Sequence, residues 1–241
     1  MRIEPQIDSG RSEPRINDNN LVLWLNDNRK TASNWYDQSG KNNHGIVYGA
    51  GTPPPATPQT LGYLFDGVDD YVDAGGNSFF TKITGEIITI SLWGKSNDVT
   101  QTGKTLITKP TGATPGANYG IRLLSTTGNI GFYFTNNVTQ YIIYSTGIKL
   151  SSSWTHIYAS FKFGDPTSIL VYINGVPISS SWIGDASTIP QSASTPLIIG
   201  AFSSIVDFFN GSIDEVRIYN RALSASEIKR LYERTRILFG V

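Results

Sequence analysis

Apolar and polar residues alternate in short runs along most of the chain, with turn-forming residues between the runs. Residues 21–25 (Leu-Val-Leu-Trp-Leu) are the first run with strand character. Successive side chains on a strand point to opposite faces. In 86–93, Ile88, Ile90 and Leu92 therefore face one way, against Ile87, Thr89 and Ser91. Strands are also predicted at 61–65, 71–72, 121–124, 130–134 and 141–144, and at 154–163, where Ile157, Ala159, Phe161 and Phe163 share the predicted core face. Residues 169–173 meet 176–178 through Asn174-Gly175. That dipeptide predicts a type I′ hairpin, because both central positions need positive φ. Strands at 197–201 and 213–219 complete the set. Asp37 to Gly45 reads as a turn-rich loop, and 51–58, with four prolines, is predicted to stay out of the sheet ladders.

One helix is signalled, at 225–234. Ser224 and Glu227 have the spacing of a capping box, and Leu223 and Ile228 that of a hydrophobic staple. Leu231 extends the apolar stripe. Strands do not alternate with helices as in βαβ folds, so the pattern predicts an all-β, two-sheet sandwich with a short C-terminal helix. Residues 1–19, with Pro5 and Pro14 and little periodicity, read as an irregular arm before a single domain at 20–241.

Composition narrows the function classes. Charged residues are 16% and the formal net charge is zero. No basic cluster is present to neutralise phosphates, which argues against nucleic-acid binding. No apolar run has membrane-spanning length. The polar segment 1–20 lacks the apolar core of a signal peptide. A removed export signal, a larger parent protein and another exit route, such as a virion, are the three expectations that follow. There is no cysteine, so disulfides, thiol chemistry and Cys-based zinc sites are excluded.

Seven segments, in order, resemble the laminin-G-like jelly-roll domains of the concanavalin A-like lectin/glucanase superfamily. They are Asp37-Gln38-Ser39-Gly40 with Asn43-His44-Gly45; Leu64-Phe65-Asp66-Gly67-Val68-Asp69-Asp70-Tyr71-Val72; Ile90-Ser91-Leu92-Trp93; Trp154-Thr155-His156-Ile157; Val171-Tyr172-Ile173-Asn174-Gly175-Val176; Ile199-Gly200; and the run from Phe209 through Asp214-Glu215-Val216-Arg217 to Ser224. The resemblance spans about residues 20–233. It implies two antiparallel sheets packed face to face, usually with a structural calcium ion, and binding or adhesion more often than catalysis.

Alternation places Asp214 on the face of Val216 and Ile218, the predicted core face. An inward carboxylate must be neutralised or well hydrogen-bonded, and a bound cation does this. Calcium takes oxygen ligands from carboxylates, amides and turn carbonyls. Asp214 is the first candidate ligand, with Asp37, Asn43 and Asp66 completing the shell; in similar domains the ion often joins the last strand to loops near the N-terminus. The bland alternative is that Asp37 and Asp66 close Asx turns. Glu215 and Arg217 fall on the outward face and read as a surface pair of small energetic value.

Nothing signals catalysis. The Glu-x-Asp-x-Glu pattern of catalytic relatives with this fold does not occur, and Asp69-Asp70 and Asp214-Glu215 are adjacent acids that point oppositely on a strand. His44 reads as a turn residue, and His156 points away from the core beside Tyr158. The leading expectation is a non-catalytic recognition or adhesion module, carbohydrate-binding and calcium-stabilised, extracellular or on a cell surface, with a glycan or polysaccharide partner. A structural virion protein (tail, spike or capsid decoration), partnered by other subunits, is the alternative, and a glycoside hydrolase or lyase of the same fold is the third reading. Tyr133, Tyr158 and Tyr172 alternate away from the core and are the outward aromatics available for stacking on sugars, although tyrosine favours strands whatever its role. Trp182 is read as a loop residue open to solvent, and Trp24, Trp93 and Trp154 as core or core-edge.

Overall fold

A computed structural model of the 241-residue chain describes residues 18–49, 57–58, 61–83, 85–111, 116–136, 141–202 and 206–241. Most of the expected N-terminal arm and the prolines Pro53 to Pro55 lie outside them. The strands are β1 (Leu21–Lys30), β2 (Asn34–Asp37), β3 (Gly45–Tyr48), β4 (Thr57–Pro58), β5 (Tyr63–Asp66), β6 (Tyr71–Asp73), β7 (Ile87–Ser96), β8 (Thr105–Pro110) and β9 (Ala117–Leu123). They continue with β10 (Asn129–Thr135), β11 (Tyr141–Lys149), β12 (Thr155–Lys162), β13 (Leu170–Ile173), β14 (Val176–Ile178), β15 (Trp182–Ile183), β16 (Ile198–Ile199) and β17 (Asn210–Tyr219), before the helix α1 (Ala225–Phe239).

All the pairings are antiparallel. One layer runs β2-β1-β17-β7-β12-β13-β14, and the other β3-β6-β16-β8-β9-β10-β11-β15. β2 and β3 also pair, linking the layers. The core draws on both: Leu23, Ile90, Leu92, Ile157, Phe161 and Ile218 from the first, and Val72, Ile107, Ile121, Phe132, Phe134 and Ile199 from the second. This is the expected jelly-roll sandwich. β2, β3 and β8 were not legible as strands, and Thr57–Pro58, within the proline-rich run, makes a two-residue pairing with β5. A proline is tolerated there because β4 is an edge. The Asn174-Gly175 turn has φ of 51° and 74°, as type I′ requires.

The helix carries both predicted devices. Ser224 accepts the Glu227 N–H while the Glu227 side chain accepts the Ser224 N–H, and Leu223 and Ile228 are buried in one cluster. It runs five residues past the predicted end at 234, to Phe239, with Gly240 as a left-handed cap. The extension has a tertiary cause. Phe239 stacks on Trp93 at 4.3 Å between centroids and packs on Trp154 at 4.7 Å.

The helix also changes which residues are outside. Thr89, Ser91, Trp93, His156, Tyr158 and Arg217 lie on the face of the first layer opposite the core, and all are buried. The Trp93 indole N–H donates to the Thr235 hydroxyl at 2.9 Å. This layer is therefore covered on both faces, by the opposite sheet and by α1.

Candidate functional site

The run at 213–219 departs from simple alternation. Asp214 pairs with Trp93, yet Arg217 pairs with Ser91, so three steps along β17 match two along β7. The extra residue is Glu215, with φ of 52°. A β-bulge of this kind re-aims side chains and breaks a ladder. Before it, β17 pairs with β5; after it, β17 pairs with β1 along the same edge. Gly62 fits the junction because a Cβ there would lie 2.0 Å from the Ile213 carbonyl oxygen.

The bulge corrects two expectations. By register Asp214 shares the face of Trp93 and Arg217, not that of Val216 and Ile218. Glu215 and Arg217 are not a solvent-facing pair: they are 1% and 4% exposed. Arg217 bridges to Glu215 Oε2 at 2.6 Å, the Trp24 indole N–H donates to the same oxygen at 3.0 Å, and the guanidinium lies 4.7 Å from the Trp24 ring centroid. Asp214 is equally buried, and desolvation, then the charges of Glu215 and Asp27, hold its carboxyl well above the usual range, with Lys30 opposing.

His156 completes this layer. Its Nε2 lies 2.9 Å from Ser91 Oγ, and its Nδ1 has no hydrogen-bond partner among the described residues. Burial, then the charge of Arg217, push its pKa down to about 3 from 6.5. The ring is neutral when folded, whereas an unfolded histidine takes a proton below pH 6.5. Stability is therefore expected to fall as pH drops from 6.5 towards 3, by about 1.4 kcal/mol per pH unit from this residue. Asp214 acts oppositely, its contribution being lost as pH rises through its folded value. Urea denaturation of the wild type and His156→Gln at pH 7 and pH 5 isolates the histidine: the variant should lose less stability on acidification, and equal losses would contradict the assignment. Ser91 and His156 touch, and both are fully buried on the face that α1 covers.

The four residues named as calcium ligands are not brought together. Asp37 takes N–H groups of Trp24 and Ser39 on Oδ1, and the Ser39 hydroxyl and Asn43 N–H on Oδ2, at 2.7–3.0 Å. Those bonds build the Asx turn and leave little room for an ion. Asn43 joins the same loop, donating to the Val22 carbonyl and accepting from Asn77. Asp66 lies elsewhere: its carboxylate and those of Asp69 and Asp70 offer oxygens within 4.8 Å of one another, a grouping that Asp37 and Asp214 do not enter. Asp66 Oδ1 also accepts the Val68 N–H. The sequence held the signal for this group, since Asp66-Gly67-Val68-Asp69-Asp70 is a turn that places three acids side by side.

The outward aromatics are also redistributed. Tyr133 and Tyr158 are fully buried, and Tyr172 is half-buried. Tyr133 donates to Thr108 and packs with Phe202, while the Tyr158 hydroxyl accepts the Leu223 N–H. Trp182 is not an open loop residue; it belongs to β15 and packs on Phe132, Phe134 and Phe161. Among the described residues, an aromatic pair that reaches solvent is Tyr48 with Tyr71. They are register partners on β3 and β6, and their rings stack at 4.9 Å and 10°. Tyr48 is 40% exposed, and Ile46 and Asp73, also register partners, continue the same outer face. Alternation in Gly45-Ile46-Val47-Tyr48 carried this signal, but only as a four-residue strand.

The fold and these sites define a jelly-roll domain of the concanavalin A-like type. The chain belongs to the concanavalin A-like lectin/glucanases superfamily, whose laminin G model matches residues 66–229. No curated protein matches. Among solved structures it is similar to the binding domain of Paraclostridial Mosquitocidal Protein 1 (19% identity, TM-score 0.64, covering 88% of this chain and 52% of that one). It is also similar to the receptor-binding domain of botulinum neurotoxin D (18%, 0.62, 89% and 52%). A third similar structure is domain 4 of AbnA, an extracellular GH43 arabinanase from Geobacillus stearothermophilus, in complex with arabinotriose (22%, 0.65, 88% and 98%). The chain thus spans about half the length of the toxin domains and nearly all of the arabinanase domain. No helix among the described residues is long and apolar enough to cross a membrane.

Proposed function

We propose that this chain is a non-catalytic glycan-recognition module acting outside the cell, with the Tyr48–Tyr71 pair as its sugar platform. The observation that carries this reading is the stacked pair of phenol rings, Tyr48 exposed and Tyr71 half-buried, on an outer sheet face beside the carboxylate of Asp73. Sugars lay their C–H faces on aromatic rings and give their hydroxyls to such acceptors. The likeness to a domain solved with arabinotriose supports the reading at the level of fold. The buried state of the Ser91–His156 contact and of Asp214 and Glu215 supports the non-catalytic part.

A divalent ion, calcium by its taste for hard oxygen ligands, belongs to the same proposal. The carboxylates of Asp66, Asp69 and Asp70 would hold it and thereby brace the turn between β5 and β6, the latter carrying Tyr71. A glycan array followed by calorimetric titration, with calcium and after EDTA dialysis, tests both parts. Tyr48→Ala and Tyr71→Ala should each weaken neutral-glycan binding about tenfold, or 1.4 kcal/mol. Undiminished binding in both variants would refute the platform. Calcium should raise the melting temperature of the wild type but not of Asp69→Asn. A melting temperature indifferent to EDTA would refute the ion without touching the sugar reading.

A further inference from the structure

A pocket of about 150 Å³ lies between α1 and the outer face of β1 and β17. Its apolar wall is formed by Leu21, Leu223 and Leu231. Four guanidinium groups surround it: those of Arg217, Arg221, Arg230 and Arg234. Two are already matched. Arg217 is bridged to Glu215, and Arg221 is held by Asp18 and by Glu227. That pairing pulls the Glu227 carboxyl down to about 2, so the acids at the pocket stay ionised but committed. Arg230 and Arg234 are one helical turn apart, exposed, and unmatched by any carboxylate among the described residues. The pocket therefore has a dry side that fits one ring and a mouth with two spare cations.

We infer that this pocket takes an acidic saccharide, a pyranose bearing a carboxylate, with the C–H face of the ring against the leucines and the carboxylate between Arg230 and Arg234. Guanidinium groups match carboxylates in a two-pronged geometry. The inference rests on the recognition reading above and adds a second, charge-selective subsite on the opposite layer from the Tyr48–Tyr71 pair. The pocket volume and its apolar wall favour a ring over an inorganic anion, which the leucines would not contact.

The test uses the full chain and titration calorimetry with oligosaccharides of galacturonate, glucuronate and mannuronate, together with their methyl esters. The acids should bind saturably and the esters at least tenfold more weakly. Arg230→Gln/Arg234→Gln should lose at least tenfold in affinity at an unchanged melting temperature, since both side chains are exposed. Lys229→Gln, which removes an exposed cation of α1 outside the pocket lining, should bind the acids as the wild type does. Equal binding by the esters or by the double arginine variant would overturn the inference, as would inorganic phosphate competing as well as the acids. Binding of neutral glycans but of no uronate would overturn it while leaving the recognition reading intact. Silence towards every saccharide would remove both.

Discussion

Arg217→Ala should cost about 3–5 kcal/mol of stability, because removing one member of a buried ion pair strands the other. Glu215 would keep the Trp24 N–H but lose its counter-charge, and the Trp24 ring would lose the guanidinium stacked on it. Glu215→Ala should cost a similar amount, since it removes the carboxylate that Arg217 bridges at 2.6 Å in a buried setting. The double variant should cost less than the sum of the two, as groups in one network do not contribute independently. Urea denaturation monitored by tryptophan fluorescence gives all three values. A loss below about 1 kcal/mol for Arg217→Ala, the range of exposed pairs, would show that this network is not buried in solution.

Trp93→Ala should cost about 3–5 kcal/mol, the usual range for deleting a large buried aromatic ring. The ring links the sheet to the helix. It stacks on Phe239 and Tyr232 and donates to Thr235, and its removal also takes from the imidazole of His156 one of its two aromatic neighbours, leaving Tyr232. The loss should fall unevenly. Amides of α1 should exchange faster with solvent, while those of the Phe132–Phe161 core keep most of their protection. Uniform loss across the domain would mean that the helix is not a separable layer. Thr235→Val, which removes the hydroxyl that accepts from Trp93 and donates to the Leu231 carbonyl, should cost about 1 kcal/mol.

These two variants mark where the sequence was legible and where it was not. The strands with clean alternation, the I′ hairpin and the capped start of α1 all follow from local chemistry, and so does the two-layer class. β2 and β3 are four residues each and flank a polar turn-rich loop, too short for a period to register. The end of α1 was set by Phe239 meeting Trp93, a contact across some 145 residues that no local pattern contains. Glu215 and Arg217 were misplaced for two reasons together. A bulge shifts the register by one residue, and a helix covers the face that alternation assigns to solvent. The candidate ligands suffered likewise. Asp37 is spent on its own turn, and Tyr133 and Tyr158 point away from the core without reaching water. Tyr48 and Tyr71 became a pair only through the β3–β6 register, and the four arginines gathered only when α1 lay across β1 and β17.

The neighbour relation between β1 and β17 bears on how the chain acquires its shape during synthesis. Leu21 lies opposite Tyr219, and β17 sits between β1 and β7. The central ladder thus waits for a segment made long after β1, and an emerging chain holds β1 with one edge open until then. Folds dominated by such distant pairings reach the native state slowly. Until β17 arrives, that open edge is a template on which another strand can pair.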